Sequence, residues 1–588
     1  MTKERIDRLR AELAAQQING FIVPRNDEHF GEWVPASAER LAWLTGFTGS
    51  AGLAIVLDDR AAVFVDGRYT LQVRDQVDLD VFEPRHVTEE PAGDWLRSAL
   101  KAGDRLGYDP WLHTEEGLKR LAKAAEAAQA ALVPVTSNPV DVIWTDRPAA
   151  PMAPVVPHED RFAGKPSAEK RAEIAAELAG KGVDAAVLTL PESFAWLLNI
   201  RGGDVPRTPL PLGFAILHAD AAVDLYMAPA KLSDATIAHL GGAVRRHAPG
   251  DFLDGLDQLA EKTVLVDKAT AVAAVTERLA AAGAKLVRGS DPTALPKARK
   301  NEAEIAGTRA AHVRDGAAVT KFLAWLDAQA PGTVDEMTAA EKLESYRRED
   351  NLMRDLSFDT ISGSGPNGAI VHYRVTEDTN RTLGAGELFL VDSGAQYLDG
   401  TTDITRTVAI GEPNAEMRER FTRVLKGHIA LATARFPKGT TGSQLDTLAR
   451  LPLWQAGLDF DHGTGHGVGS YLSVHEGPQR ISKLPNAVPL EPGMIVSNEP
   501  GYYRTGEYGI RIENLVTVVA VETPGGERET YGFETLTQAP IDRRLIDADL
   551  LTAAERDWLN AYHAGVREKL GALDPDTAHW LAEATRPI

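Results

Sequence analysis

Five side chains in the C-terminal half of this sequence have types and contexts suited to binding divalent cations: Asp392, Asp403, His466, Glu499 and Glu513. LFLVDSGAQY and TTDITRTVAI flank a turn at Asp399-Gly400 and predict a β-hairpin, with Asp392 on one arm and Asp403 on the other. A carboxylate inside an apolar strand is costly unless a cation or a proton compensates its charge. Either aspartate alone would suit a solvent-facing edge hairpin. The rest of the set tips the balance. His462 and His466 lie in HGTGHGVG, where glycines let backbone approach a ligand closely. Glu499 closes the apolar run in MIVSNEPG, Glu513 interrupts GIRIENLVTV, and His475 lies between in VHEGP. A lone histidine is ordinarily a hydrogen-bonded core residue, but four acids and a glycine-flanked histidine in strand interiors are hard to read as five separate accidents. Oxygen-rich ligation with one imidazole suits Mn2+ and also admits Co2+, Fe2+ or Zn2+. Five ligands exceed the needs of one ion with an open position and suit two ions about 3.5–4 Å apart sharing a hydroxide.

The elements that must position these residues form a third domain. Asn301 caps a long helical pattern, EAEIAGTRAAHVRDGAAVTKFLAWLDAQ, which opens it. Before it, two segments resemble each other. AELAAQQINGFIV (residues 11–23) and AELAGKGVDAAVL (176–188) each read as a helix end, a turn and a buried strand. Ala42-Trp43-Leu44 is matched by Ala195-Trp196-Leu197, and the apolar hairpins starting at Gly52 and Gly213 also correspond. Three matches in the same order predict a duplicated α/β domain, joined by the proline-rich linker from Arg147 to Pro157. The boundaries implied are 1–150, 158–298 and 299–588, with a C-terminal extension at about 531–588 of mixed strand and helix signals.

At 588 residues the chain is too long for one hydrophobic core, and its 44% hydrophobic content excludes wholesale disorder. A net charge of -21 repels phosphate backbones, so neither nucleic acid nor an anionic membrane is an expected partner. The absence of cysteine excludes disulfides, thiolate catalysis and Cys-ligated zinc. Met1 to Ala14 reads as an amphipathic helix rather than a signal peptide, and no apolar run is long enough to span a bilayer, so the expected compartment is the cytoplasm.

The order and spacing of Asp392, Asp403, His466, Glu499 and Glu513 resemble the pita-bread metallopeptidases. GPNGAIVHYR around His372, HGTGHGVG, VHEGP and GIRIEN, with GFTGSAGLAIV and DGRY near the N-terminus, look like the three-domain form of aminopeptidase P (Xaa-Pro aminopeptidase) across essentially the whole chain. That resemblance implies an α/β (α+β) fold class, with two duplicated N-terminal α/β domains followed by a C-terminal pita-bread catalytic domain. It implies two divalent metal ions, Mn2+ before others, and a bridging hydroxide that cleaves between an N-terminal residue and a following proline. Position by position, Asp392 would chelate one ion, His466 and Glu499 the other, and Asp403 and Glu513 would bridge them. Glu499 would also take the nucleophile's proton. His372 and His475 would hold the substrate and stabilise the tetrahedral intermediate. His462, Val474, Tyr503 and Arg511 would line the proline pocket, and Arg68 would contact substrate from the first domain. Peptides with proline second are the implied partners, and a homodimer the implied assembly. Asp461 before His462 and Arg374 after Tyr373 depart from the family's usual small residues and bear on the pocket rim.

Two other readings compete. A prolidase-like dipeptidase would share the scaffold, but the duplicated front of roughly 300 residues argues against it. A non-catalytic binding protein would lack ligands, whereas all five are present. No H-E-x-x-H, G-x-x-x-x-G-K-[ST] or G-x-S-x-G motif occurs.

Overall fold

The computed structural model describes residues 2–571 and 573–588; Met1 of the expected first helix and Ala572 of the C-terminal extension lie outside the described residues. Two compact units divide the chain. The first runs to Asp160 and includes Lys165–Ala294, and the second comprises Arg161–Gly164 and Leu295–Ile588.

The first unit holds two six-stranded sheets built alike. One orders its strands Glu83–His86, Ala61–Val65, Leu53–Leu57, Gly20–Pro24, Arg105–Tyr108, Ala131–Pro134; the other Val244–His247, Val223–Tyr226, Phe214–His218, Ala185–Leu188, Thr263–Asp267, Lys285–Gly289. Pairing senses also agree strand for strand: parallel, antiparallel, antiparallel, parallel, parallel. The central strands are apolar on both faces because helices cover both sides, so they read as continuous Val/Ile/Leu/Ala runs. The two helix-turn-strand segments seen in the sequence open the two sheets, as Thr2–Ala15 into Gly20–Pro24 and Ser167–Gly180 into Ala185–Leu188. Residues 147–154 form no helix or strand.

The second unit carries the candidate ligands. Asn301 caps the helix Glu302–Asp327, its side chain accepting from the amides of Ala303 and Glu304 while the Glu304 carboxylate accepts from the Asn301 amide. Strands Ile361–Ser364, Glu387–Ser393 and Ile404–Ile410 form an antiparallel sheet. A six-stranded sheet follows the order Phe436–Pro437, Thr530–Thr535, Asn514–Ala520, Ile495–Asn498, Gly465–Gly467, Glu476–Ile481. Helices Ala553–Lys569 and Pro575–Ala584 close the chain.

The hairpin expected between Asp392 and Asp403 is present, but its tip belongs to a different sheet. Ala395–Tyr397 pairs with Gly400–Thr401 and with Met353–Leu356. The chain therefore leaves one sheet after Ser393 and rejoins it at Ile404, so Asp403 sits in the bend and not inside a strand. Helices hold this tip through buried charge. Arg347 donates to both oxygens of Asp315 at 2.8 and 3.1 Å, and Tyr397 donates its hydroxyl to the same carboxylate at 3.0 Å. Arg347 is fully buried, so its removal strands a buried carboxylate. We expect Arg347→Met to destabilise this unit by about 3–5 kcal/mol and Tyr397→Phe by only about 1 kcal/mol, measured by denaturant unfolding; equal losses would contradict this account of the tip.

Candidate metal centre and active site

The four acids arrive at or beside strand ends of two sheets, and the imidazole from a short strand of the larger one. Asp392 is near the end of Glu387–Ser393, opposite Thr405, and Asp403 precedes the partner strand. In the larger sheet Asn498 pairs with Asn514, so Glu499 and Glu513 face each other one residue beyond the ladder. The expectation that Glu513 lies within a strand is corrected: it occupies the break between Tyr508–Arg511 and Asn514–Ala520. A break frees a carboxylate from the alternation of a ladder and lets it turn toward a shared centre. His466 is the middle residue of Gly465–Gly467. Its flanking glycines serve the neighbouring strands rather than a ligand: a Cβ on Gly465 would lie 2.0 Å from the Ser497 carbonyl oxygen, and one on Gly467 2.1 Å from that of Glu476.

Ligand atoms of Asp403, His466 and Glu513 lie within 4.8 Å of one another. Glu499 joins them, its Oε1 3.5 Å from His466 Nε2, which is also 3.5 Å from Asp403 Oδ2. His466 Nδ1 donates to the Gly467 carbonyl at 3.0 Å, which fixes the ring and turns Nε2 toward the acids. Asp392 accepts from Arg511 Nη2 at 2.6 Å through one oxygen; its other oxygen is buried with no hydrogen-bond partner. An orphaned carboxylate oxygen beside three more acids is what a cation site presents before the cation is counted. Burial raises the Asp392 acid to about 6, Arg511 opposing and Asp403 reinforcing the shift. Burial and the charges of Asp403, Asp392 and Glu499 push Glu513 well above the carboxylate range, and burial also raises Glu499. Burial alone would lower His466, but the Asp403 hydrogen bond and the charges of Glu499 and Asp403 raise it to about 9. The group holds protons where a metal would replace them, and its hard oxygen donors with one imidazole fit two divalent ions.

The remaining expected residues arrange around this core. Arg511, buried, donates to Asp392, to the Tyr503 hydroxyl at 2.6 Å and to Thr405 at 3.1 Å. The Tyr503 oxygen also meets His462 Nε2 at 2.8 Å, and His462 Nδ1 meets the Gly463 carbonyl at 2.7 Å. One chain of bonds thus links His462, Tyr503, Arg511 and Asp392. The His475 ring stands 4.3 Å from that of His466, with Val474 buried beside it. His372 follows the turn Gly365–Ala369, and Ile370 and Tyr503 pack against one cluster of Ile361, Tyr373 and Leu390, which brings this turn to the Tyr503 side. Arg68 lies in the first unit, donating to Asp66 at 2.7 Å and stacking over Tyr69. Arg374 and Asp461 are exposed, paired with Asp359 at 2.7 Å and Lys483 at 3.8 Å.

Two residues escaped the sequence reading. Thr405 donates to Glu513 at 2.8 Å, and Ser497 donates to Glu499 at 3.1 Å while accepting the His466 amide at 2.9 Å. The available signal was a hydroxyl two residues from an acid, Asp403 or Glu499, in an apolar run.

Residues 306–520 match the model for metallopeptidase family M24 and 529–588 that for the C-terminal region of peptidase M24; residues 5–147 and 146–304 match two models of the creatinase/prolidase N-terminal domain. The chain is 40% identical over 615 residues to a probable Xaa-Pro aminopeptidase P of Tuber melanosporum, covering 100% of this chain and 99% of that one. It is also 40% identical over 616 residues to one of Coprinopsis cinerea, with 100% and 98% covered. Among solved structures, X-prolyl aminopeptidase from Caenorhabditis elegans, described as a cytosolic enzyme with a di-nuclear active site, superposes with a TM-score of 0.96 at 34% identity over 100% of both chains. Prolidase from Thermococcus sibiricus gives a TM-score of 0.51 at 25% identity, covering 63% of this chain and 97% of that one.

The raised acids and His466 generate a pH prediction. A group whose folded pKa exceeds its unfolded value stabilises below the unfolded pKa and loses that contribution as pH rises through the folded one. For Asp392 that window runs from 3.8 to about 6, and for His466 from 6.5 to about 9. Demetallated protein should therefore lose thermal stability as pH rises from 4 to 9, and Mn2+ binding at pH 7 should release protons, read by calorimetry in buffers of different ionisation enthalpy. Heats independent of buffer would contradict the protonated cluster.

Proposed function

The chain belongs to metallopeptidase family M24, and from that premise we infer that it is a metal-dependent Xaa-Pro aminopeptidase, releasing one N-terminal residue ahead of proline. The observation that carries this reading is the grouping of Asp403, His466, Glu499 and Glu513, with Asp392 electrostatically coupled to Asp403 and Glu499, in a chain that aligns end to end with relatives named Xaa-Pro aminopeptidase P. The prolidase alternative is weakened by coverage, since a prolidase structure accounts for 63% of this chain.

When bound, two divalent ions supply Lewis acidity and a nucleophile at neutral pH. Asp392 would hold one ion and His466 with Glu499 the other, with Asp403 and Glu513 shared. Mn2+ is the proposed metal, because four of five donors are carboxylates. Arg511 holds Asp392, and Thr405 holds Glu513, so each donor keeps its orientation. Glu499, fixed by Ser497 at Oε1, accepts the attacking water's proton at its carboxylate. His475 and His372 bind the scissile carbonyl and stabilise the developing oxyanion. Val474, His462 and Tyr503 form the wall for the pyrrolidine, whose nitrogen offers no N–H to recognise, and shape replaces that donor.

The proposed domains are 1–150, 158–298 and 299–588. A homodimer is supported by Leu451 and Trp454, which stand exposed on one face of the helix Gly442–Trp454. A cytoplasmic setting is supported by the C. elegans relative, described as cytosolic. Among the described residues no helix is long and apolar enough to cross a membrane.

The test is a comparison of Arg-Pro-Pro, its N-acetylated form, Arg-Ala-Pro and the dipeptide Arg-Pro. Arg-Pro-Pro should lose only its first residue, the acetylated peptide should resist, and alanine at the second position should cost roughly 10–200-fold in kcat/KM. Cleavage of acetylated peptide, or Arg-Pro cut better than Arg-Pro-Pro, would defeat this assignment.

A further inference from the structure

The loop bearing His462 has little regular structure to hold it, since residues 458–464 belong to no helix or strand. One guanidinium takes that place. Arg450, fully buried on the helix Gly442–Trp454, donates to the Phe460 carbonyl at 2.6 Å, the His462 carbonyl at 2.8 Å and the Asp459 carboxylate at 2.8 Å. Its Nε donates to Asp446 at 2.7 Å, and the other Asp446 oxygen accepts from Thr464 at 2.6 Å. The guanidinium also lies 3.9 Å from the centre of the Phe460 ring, which stands 4.8 Å from the His462 imidazole. Arg450 thus grips both the backbone of His462 and the ring behind its imidazole. A planar fork with five donors can meet these groups together, and an ammonium cannot.

We propose that Arg450 is a positioning residue for His462, and that by setting where this imidazole and the attached Tyr503 stand it sets the preference for proline at the second position. The proposal rests on the reading of His462 as part of the proline wall. Asp446 extends the same grip to Thr464, whose carbonyl accepts the Glu499 amide at 2.9 Å. That link reaches only backbone at Glu499, so the ligand side chains keep their own bonds when Arg450 is changed, and metal content separates a positioning effect from a collapsed site.

The experiment is a double-mutant cycle. kcat and KM are measured on Arg-Pro-Pro and Arg-Ala-Pro for the Mn2+-loaded full chain, Arg450→Lys, His462→Ala and the double variant, with metal content determined for each. Arg450→Lys should keep its metal and lower the proline-to-alanine preference on the order of 10-fold. His462→Ala should lower it at least as much, and the double variant should be no worse than His462→Ala alone, because residues acting through one another are not additive. Additive losses, or equal losses on both peptides together with metal loss, would overturn the proposal while leaving His462 in the pocket. An unchanged preference in His462→Ala would overturn the pocket reading and the proposal with it. If Arg450→Lys fails to fold, Phe460→Leu keeps every Arg450 hydrogen bond but removes the ring behind the imidazole; a folded, metal-loaded Phe460→Leu enzyme with wild-type preference overturns the proposal, and a lowered preference absent in the His462→Ala background supports it.

Discussion

Four largely buried carboxylates whose charges act on one another repel strongly. Two like charges 4 Å apart cost about 4 kcal/mol at an effective dielectric near 20, and a whole domain is stable by only about 5–15 kcal/mol. Asp392, Asp403, Glu499 and Glu513 therefore cannot all be ionised unless positive charge arrives. Arg511 supplies one through Asp392. The remaining deficit is met by protons, as the upward shifts of Asp392, Glu499 and Glu513 indicate, or by cations. The bonds around the site are arranged to keep this costly group in place.

That constraint accounts for much of the surrounding structure. The four acids sit at or beside strand ends and in breaks, where a side chain is freer of strict alternation, and only His466 lies in the middle of a short strand. The hairpin tip between Asp392 and Asp403 is held by the buried Asp315–Arg347–Tyr397 group. The segment beginning at Glu476, just after His475, is held by Lys297 and Lys300, both buried against that glutamate. The His462 loop is held by Arg450. In each case a buried cation is bonded to a segment that adjoins the site.

The residue types, their order and the strand contexts were enough to read the ligand set, because acids in apolar runs are costly and so carry information. The duplicated front was legible for a related reason: buried strands of two matching sheets repeat the same apolar runs. What stayed hidden was non-local. Asp403 and Glu513 were read inside strands, since apolar flanks look alike whether the ladder continues or breaks. Thr405 and Ser497 gave no sign until their acids were beside them. Nor could the sequence show that Gly465 and Gly467 admit the carbonyls of Ser497 and Glu476, because that depends on which strands become neighbours.

Four ionised acids and one guanidinium leave three negative charges, which two divalent ions sharing one hydroxide would cancel; one ion with one proton would cancel them equally, so the number of bound ions is the quantity to measure. The most direct test of this balance is anomalous diffraction at the manganese edge from crystals loaded with Mn2+. Two peaks about 3.5–4 Å apart are expected, with Asp403 and Glu513 touching both, Asp392 on one, and His466 with Glu499 on the other. A single peak at full occupancy, or peaks outside this cluster, would contradict that arrangement.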